Sequence, residues 1–205
     1  MRVPSRLTRS FGWLLAGVAI AGTLAVAAQQ VATARAFREE KFRLAGVSNF
    51  GRMNERLYRG AQPTSEGFAN LRQLGIDTIV RLSLGEEGAA REQAEVEKLG
   101  MQFVGIPWST QESPTAEQVG AFLDVFDVPA HTRVFVHCKA GADRTGVMIA
   151  LYRIRIDNWT VKRALDEMNA FHHHPIFLPH LQAFVRAFPV MPQAVPSPST
   201  KLSER

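Results

Sequence analysis

Residues 137–146 read His-Cys-Lys-Ala-Gly-Ala-Asp-Arg-Thr-Gly, and they contain the chain's single cysteine, Cys138. Arg144 follows it six positions later. An ionised sulfur is a strong nucleophile. A guanidinium presents a planar fork of donors that fits the oxygens of a phosphate. The residues between them, Lys139, Ala140, Gly141, Ala142 and Asp143, include three small ones, so main-chain N–H groups can approach a ligand closely. A helix starting at the end of this stretch adds the positive pole of its dipole. Such a nest of amides holds a dianion and favours a thiolate over a thiol. One loop then carries an anion cradle, a nucleophile and a cationic clamp, the equipment for attack on a bound phosphate. Singly these residues say little: a lone cysteine is ordinarily a small buried hydrophobe, and Thr145 reads equally well as a helix cap. The combination carries the signal.

The flanking elements supply the setting that chemistry needs. Arg133-Val134-Phe135-Val136-His137 is a nearly continuous apolar run, the pattern of a strand buried on both faces. From Arg144 or Thr145 to about Ile156, Val147, Ala150, Leu151 and Ile154 recur at helical spacing. Further strands are expected at Leu57–Gly60, Asp77–Leu82 and Met101–Ile106. Helices are expected from Thr64 or Ser65 to Leu74, over Glu86–Leu99, from Pro114 at a first helical position to Val128, from Thr160 to Phe171 and over Pro179–Phe188. Alternating strands and helices imply an α/β domain: a central, mostly parallel sheet of four to five strands flanked by helices. Ligands bind beyond the C-terminal ends of such strands, where Cys138 lies.

His137-Cys138, five residues, then Arg144-Thr145-Gly146 resembles the signature of cysteine-dependent protein tyrosine and dual-specificity phosphatases. The stretch Leu57 to Pro63, Ile106-Pro107 and the helix after the loop fit the same resemblance, which covers about residues 50–175 and is to the bacterial exported dual-specificity phosphatases and the related atypical plant and fungal group. It implies a phosphatase that acts on phosphotyrosine or phosphoserine/threonine monoesters through a phosphocysteine on Cys138. Arg144 and the loop amides from Lys139 through Ala140, Gly141, Ala142 and Asp143 would hold the phosphoryl oxygens. Thr145 would hydrogen-bond the sulfur, and His137 would orient the loop from behind. No metal or other cofactor is implied; the partner is a phosphorylated protein or a small phosphomonoester.

The chain departs from the pattern at the general acid that must protonate the leaving group. The family takes an aspartate from the loop after the preceding strand, but residues 106–114 read Ile-Pro-Trp-Ser-Thr-Gln-Glu-Ser-Pro, with Glu112 the sole carboxylate. Asp143 is the other candidate, since myotubularin-type lipid phosphatases carry an aspartate at that place. Asp124, Asp127 or no side chain at all stands behind these two. Lys139-Ala140-Gly141 is similar to the loop of tumour-suppressor phosphoinositide phosphatases, which have a second lysine where this chain has Ala142. Phosphoinositide or inositol phosphate hydrolysis is therefore an alternative, as is a phosphate-binding module without turnover. Trp108 and Phe177 are candidate pocket residues that read more simply as core. Arg59 and Arg81, near strand ends, read as surface arginines, with extension of the anion site as the alternative. His172, His173, His174 and His180 read as a polar loop, because three adjacent histidines do not easily converge on one metal ion.

The 205 residues are 46% apolar and 21% charged, which suits one globular domain with a substantial core. The net charge is +5, but Arg2, Arg6, Arg9 and Arg35 precede Phe37 and no acid does. Without them the balance is nearly neutral, so a nucleic-acid partner is not expected. Three of these arginines lead into Phe11–Ala28, which carries no charge. Residues 1–36 read as a signal peptide, with Ala25-Val26-Ala27 or Ala34-Arg35-Ala36 before the cut, or as an uncleaved membrane anchor. Either implies an exported domain, periplasmic or held to the inner membrane on that side. Residues 37–50 read as a linker, 51–188 as the phosphatase domain, and the Pro/Ser-rich 189–205 as a disordered tail.

Overall fold

A computed structural model of the chain describes residues 42–188. The proposed leader at 1–36 and the tail at 189–205 lie outside the described residues. Among the described residues no helix is long and apolar enough to cross a membrane.

Five strands form one sheet: β1 (Gly51–Arg52), β2 (Leu57–Ala61), β3 (Thr78–Arg81), β4 (Gln102–Gly105) and β5 (Val134–Cys138). Their spatial order is β1-β2-β5-β3-β4, and only the short edge strand β1 runs antiparallel. β5 is central, paired with β2 from Leu57↔Val134 to Ala61↔Cys138 and with β3 as far as Arg81↔His137. Each of its five residues is buried, as expected for a strand covered on both faces.

Among the described residues six helices cover the two faces: α1 (Ser65–Gln73), α2 (Glu86–Lys98), α3 (Ala116–Asp124), α4 (Asp143–Arg155), α5 (Val161–Ala170) and α6 (Pro179–Ala187). Alternation along β5 sorts its side chains between two cores. Val134, Val136 and Cys138 join the cluster of Val147, Leu151, Phe122 and Leu181, from α3, α4 and α6. Phe135 joins the other, with Phe68, Leu71, Val96 and Ile79. His137 shares the Phe135 face, stacked at 5.7 Å between ring centroids. Cys138 and His137 thus serve opposite sides of the sheet.

α4 is enclosed on most of its circumference, with every residue from Thr145 to Arg153 buried. Gly146 lets α5 lie close, since a Cβ there would stand 2.9 Å from Met168 Cγ. Arg153 of α4 meets the Glu167 carboxylate of α5 at 2.6–3.2 Å and Asp157 at 2.8 Å, and its guanidinium lies 4.0 Å over the Trp159 ring.

Three boundaries differ from the expectation, one of them the end of α3, at Asp124 and not at Val128. α3 begins at Ala116 and not at Pro114: Thr115 is the N-cap, closing a reciprocal pair of bonds with Gln118 that satisfies two end donors. The folded domain also begins before residue 51. Val47 and Phe50, in the stretch read as linker, are 6% and 5% exposed and pack into the second core.

Candidate active site

Residues 138–144 connect the C-terminal end of β5 to the first turn of α4, and their shape follows from what holds their carbonyls. Gly141 has φ +65°, and a Cβ there would lie 2.3 Å from the Gly60 carbonyl group of β2, so only glycine fits. Its carbonyl oxygen accepts from Arg59 Nη2 at 2.7 Å and from Asn49 Nδ2 at 3.0 Å. Asn49 also donates to Ala140 O at 3.3 Å and Phe171 O at 3.2 Å. The C=O and N–H of a trans peptide point in opposite directions. Anchoring the Ala140 and Gly141 carbonyls on the outside therefore turns the N–H groups of Gly141 and Ala142 inward.

Arg59 and Arg81 are buried and not surface residues. Arg59 is fully buried, with its guanidinium 4.1 Å over the Phe171 ring, and it braces the loop from outside. Arg81 is 7% exposed and bonds Glu92 at 3.0 Å and the Ser83 carbonyl at 2.6 Å. Glu92, on α2, is the centre of a buried polar group behind the loop. It accepts from His137 Nε2 at 2.7 Å and from Gln62 Nε2 at 2.8 Å as well. Burial by itself raises the Glu92 carboxyl, but the His137 and Gln62 hydrogen bonds and the Arg81 charge outweigh it and hold the group below the ordinary carboxylate range. His137 is thereby fixed from the face opposite the sulfur.

At the loop's inner side Cys138 is a free thiol, 3% exposed. Thr145 Oγ1 is buried with no hydrogen-bond partner, and so is Arg144 Nε. Arg144 Nη1 is tied to Leu82 O at 3.3 Å and Trp108 O at 3.2 Å, which sets the plane of the guanidinium. Buried polar atoms are normally paired; here these two and His137 Nδ1 are unpaired, and all three belong to residues of the signature.

Asp143 opens α4, and its carboxylate lies under the segment after α5. Oδ1 accepts from His173 Nδ1 at 2.8 Å and from the His174 main-chain N–H at 3.0 Å. His174 Nδ1 lies 3.2–3.3 Å from both oxygens. Burial raises this carboxyl, but the bonds from His173 and His174 prevail and lower it from 3.8 to about 2. A carboxyl lowered this far favours its ionised form, which argues against Asp143 as the proton donor in this arrangement. Glu112 is exposed, with its main-chain N–H on Ser109 O at 3.2 Å. Its loop is held at both ends: Gln118 Nε2 donates to Pro107 O at 2.9 Å and His180 Nε2 to Thr110 O at 2.9 Å. Trp108 is core at 4% exposure, whereas Phe177, expected to be core, is 80% exposed.

The predicted loop residues from His137 to Thr145 thus come together on the strand-to-helix turn. Asn49, Gln62, Glu92, His173 and His174 were not singled out as site residues. Glu92 is one of five glutamates in Glu86–Lys98, and nothing in the run distinguishes it. The available signal was His137, a polar residue in an apolar strand that requires a buried partner.

The family model described as "DSP-PTPase phosphatase fused to NAD+ Kinase" matches residues 40–179. The chain belongs to this family. Among curated proteins it is 32% identical over 120 residues to the dual specificity protein phosphatase TpbA of Pseudomonas aeruginosa, covering 58% of this chain and 53% of that one. It is also 32% identical over 130 residues to the inositol diphosphatase DSP3 of Arabidopsis thaliana, covering 60% and 62%. The chain thus spans about half to three-fifths of these relatives' length. The crystal structure of P. aeruginosa TpbA superposes with TM-score 0.58 at 26% identity, covering 70% of this chain and 90% of that one. The catalytic core of the S. cerevisiae phosphatase Siw14 shares the fold at TM-score 0.61 and 21% identity, covering 71% and 88%.

Proposed function

We propose that this chain hydrolyses phosphomonoesters through a phosphocysteine on Cys138. The observation that carries the proposal is the loop's construction: carbonyls tied outward by Arg59 and Asn49, with Arg144 Nε and Thr145 Oγ1 buried and unpaired. In the first step Sγ attacks phosphorus in line while Arg144 and the inward amides stabilise charge on the equatorial oxygens. The P–O bond breaks and the leaving oxygen takes a proton. In the second step water attacks the phosphocysteine, and Thr145 Oγ1 stabilises the departing thiolate. None of these steps draws on a metal.

For substrate, phosphotyrosine or phosphoserine/threonine in proteins is the primary reading; a complex of P. aeruginosa TpbA with pTyr is known. A second reading, phosphorylated inositols, is favoured by Lys139, exposed on the loop, and by relatives named inositol diphosphatases. Export through the N-terminal segment completes the proposal and places the domain in the periplasm or on the membrane facing it.

The deciding assay is 4-nitrophenyl phosphate hydrolysis with EDTA present. Turnover is expected to persist in EDTA and to fall by at least ~10³-fold in Cys138→Ser. Retention of activity in that variant, or tight phosphopeptide binding without turnover by the unmodified chain, would remove the enzymatic function. A panel of phosphopeptides and inositol phosphates then separates the two substrate classes by kcat/KM.

A further inference from the structure

The loop that ordinarily provides the leaving-group acid has no aspartate here, and Asp143 is held ionised. We propose that His174 is the general acid of this phosphatase, positioned by Asp143; the assignment rests on the phosphomonoesterase function proposed above.

The geometry singles out one ring. An ionised carboxylate only accepts hydrogen bonds, so Nδ1 of His173 and Nδ1 of His174 both carry their protons toward Asp143. This fixes the orientation of each ring, as a carboxylate does for a catalytic histidine. The two then differ in access. The His173 side chain is fully enclosed, and its Nε2 is buried without a partner. The His174 side chain is 55% exposed, and its Nε2 has no partner among the described residues. His174 therefore presents an unpaired ring nitrogen, Nε2, beside the carboxylate of Asp143, the residue next to Arg144.

The segment that carries His174 is anchored to the rest of the site. Leu178 N–H closes a turn on His174 O at 2.9 Å, and His180 Nε2 holds Thr110 O on the 106–115 loop. The segment thus spans from the signature loop to the loop where the family keeps its acid. The titratable groups around His174 are Asp143 and His173 in direct contact, His172 beside them in sequence, and His180 and Glu112 at the far end of the span.

The proton balance closes. As the Sγ–P bond forms and the P–O bond breaks, the electron pair passes to the leaving oxygen, which takes the proton from Nε2 of the imidazolium. The neutral ring then accepts a proton from the water that attacks the phosphocysteine. The P–S bond breaks, thiolate and imidazolium are restored, and the products are alcohol and phosphate.

The full chain is tested on two esters, a phosphotyrosine peptide and 4-nitrophenyl phosphate, whose phenoxide leaves readily without a proton. His174→Asn is expected to lower kcat about 10²-fold on the peptide and less than ~10-fold on the activated ester, and to abolish the alkaline limb of the kcat–pH profile. Asp143→Asn is expected to keep that limb while lowering kcat more on the peptide than on the activated ester, because the ring loses the carboxylate that orients it. Imidazole added to His174→Gly is expected to restore part of the lost rate, which guards against a variant that is merely unstable. Equal losses on both esters, an intact alkaline limb in His174→Asn, or leaving-group-selective loss in Glu112→Gln with none in His174→Asn would overturn the assignment. A natural chain inactive on either ester would remove the phosphatase function itself, an outcome distinct from all of these.

Discussion

Asp143 illustrates how a single carboxylate serves stability and chemistry together. Its folded value of about 2 lies below the ordinary 3.8, so its contribution to stability is complete above about pH 4 and is lost as pH falls through about 2. A carboxyl made this much more acidic by folding contributes about 2 kcal/mol at neutral pH. Urea unfolding followed across that acid range should show the natural chain losing about this much. Asp143→Asn should start less stable at neutral pH and lose distinctly less on acidification. Equal slopes for the two chains would mean that the His173 and His174 bonds do not survive in solution. Gly141 and Cys138 were legible at this scale because their chemistry is written in residue type and close spacing. Asn49, Arg59 and Glu92 were not, because each acts on the loop from 45 or more positions away, through a hydrogen bond that no local pattern encodes.

Between elements, the α4–α5 pair carries the site's far wall. Its polar lock is the buried Arg153–Glu167 pair, with side chains 4% and 1% exposed. Removing one member of a buried pair leaves the other charge without compensation, at about 3–5 kcal/mol, whereas replacing both with apolar residues is often near neutral. Arg153→Met is therefore expected to lower stability by about 3 kcal/mol in urea titrations, and Arg153→Met with Glu167→Leu to recover most of it. A single variant that unfolds at the natural midpoint would show that Asp157 and Trp159 hold the helices without this pair. Strand and helix periods were readable along the chain because each repeats over a few residues. The start of α3 moved from Pro114 to Ala116 because a capping box outweighed proline's preference for a first turn.

At the scale of the whole molecule, the proposed export rests on residues 1–36. Fractionation of cells producing the full chain is expected to place it outside the cytoplasm. Its new N-terminus should follow Ala27 or Ala36, or the intact chain should sediment with membranes. A soluble cytoplasmic product beginning at Met1 would overturn the export reading.

Residue type and spacing alone singled out the candidate nucleophile and phosphate clamp and determined the α/β order of elements, because a signature loop and a hydrophobic period are both local. Only the tertiary structure decided that two arginines expected at the surface are buried braces, that α2 delivers a carboxylate to the back of His137, and that Asp143 is locked by a pair of histidines. These facts depend on which distant segments the sheet order β1-β2-β5-β3-β4 brings alongside β5, and burial and pairing of charge follow from that proximity.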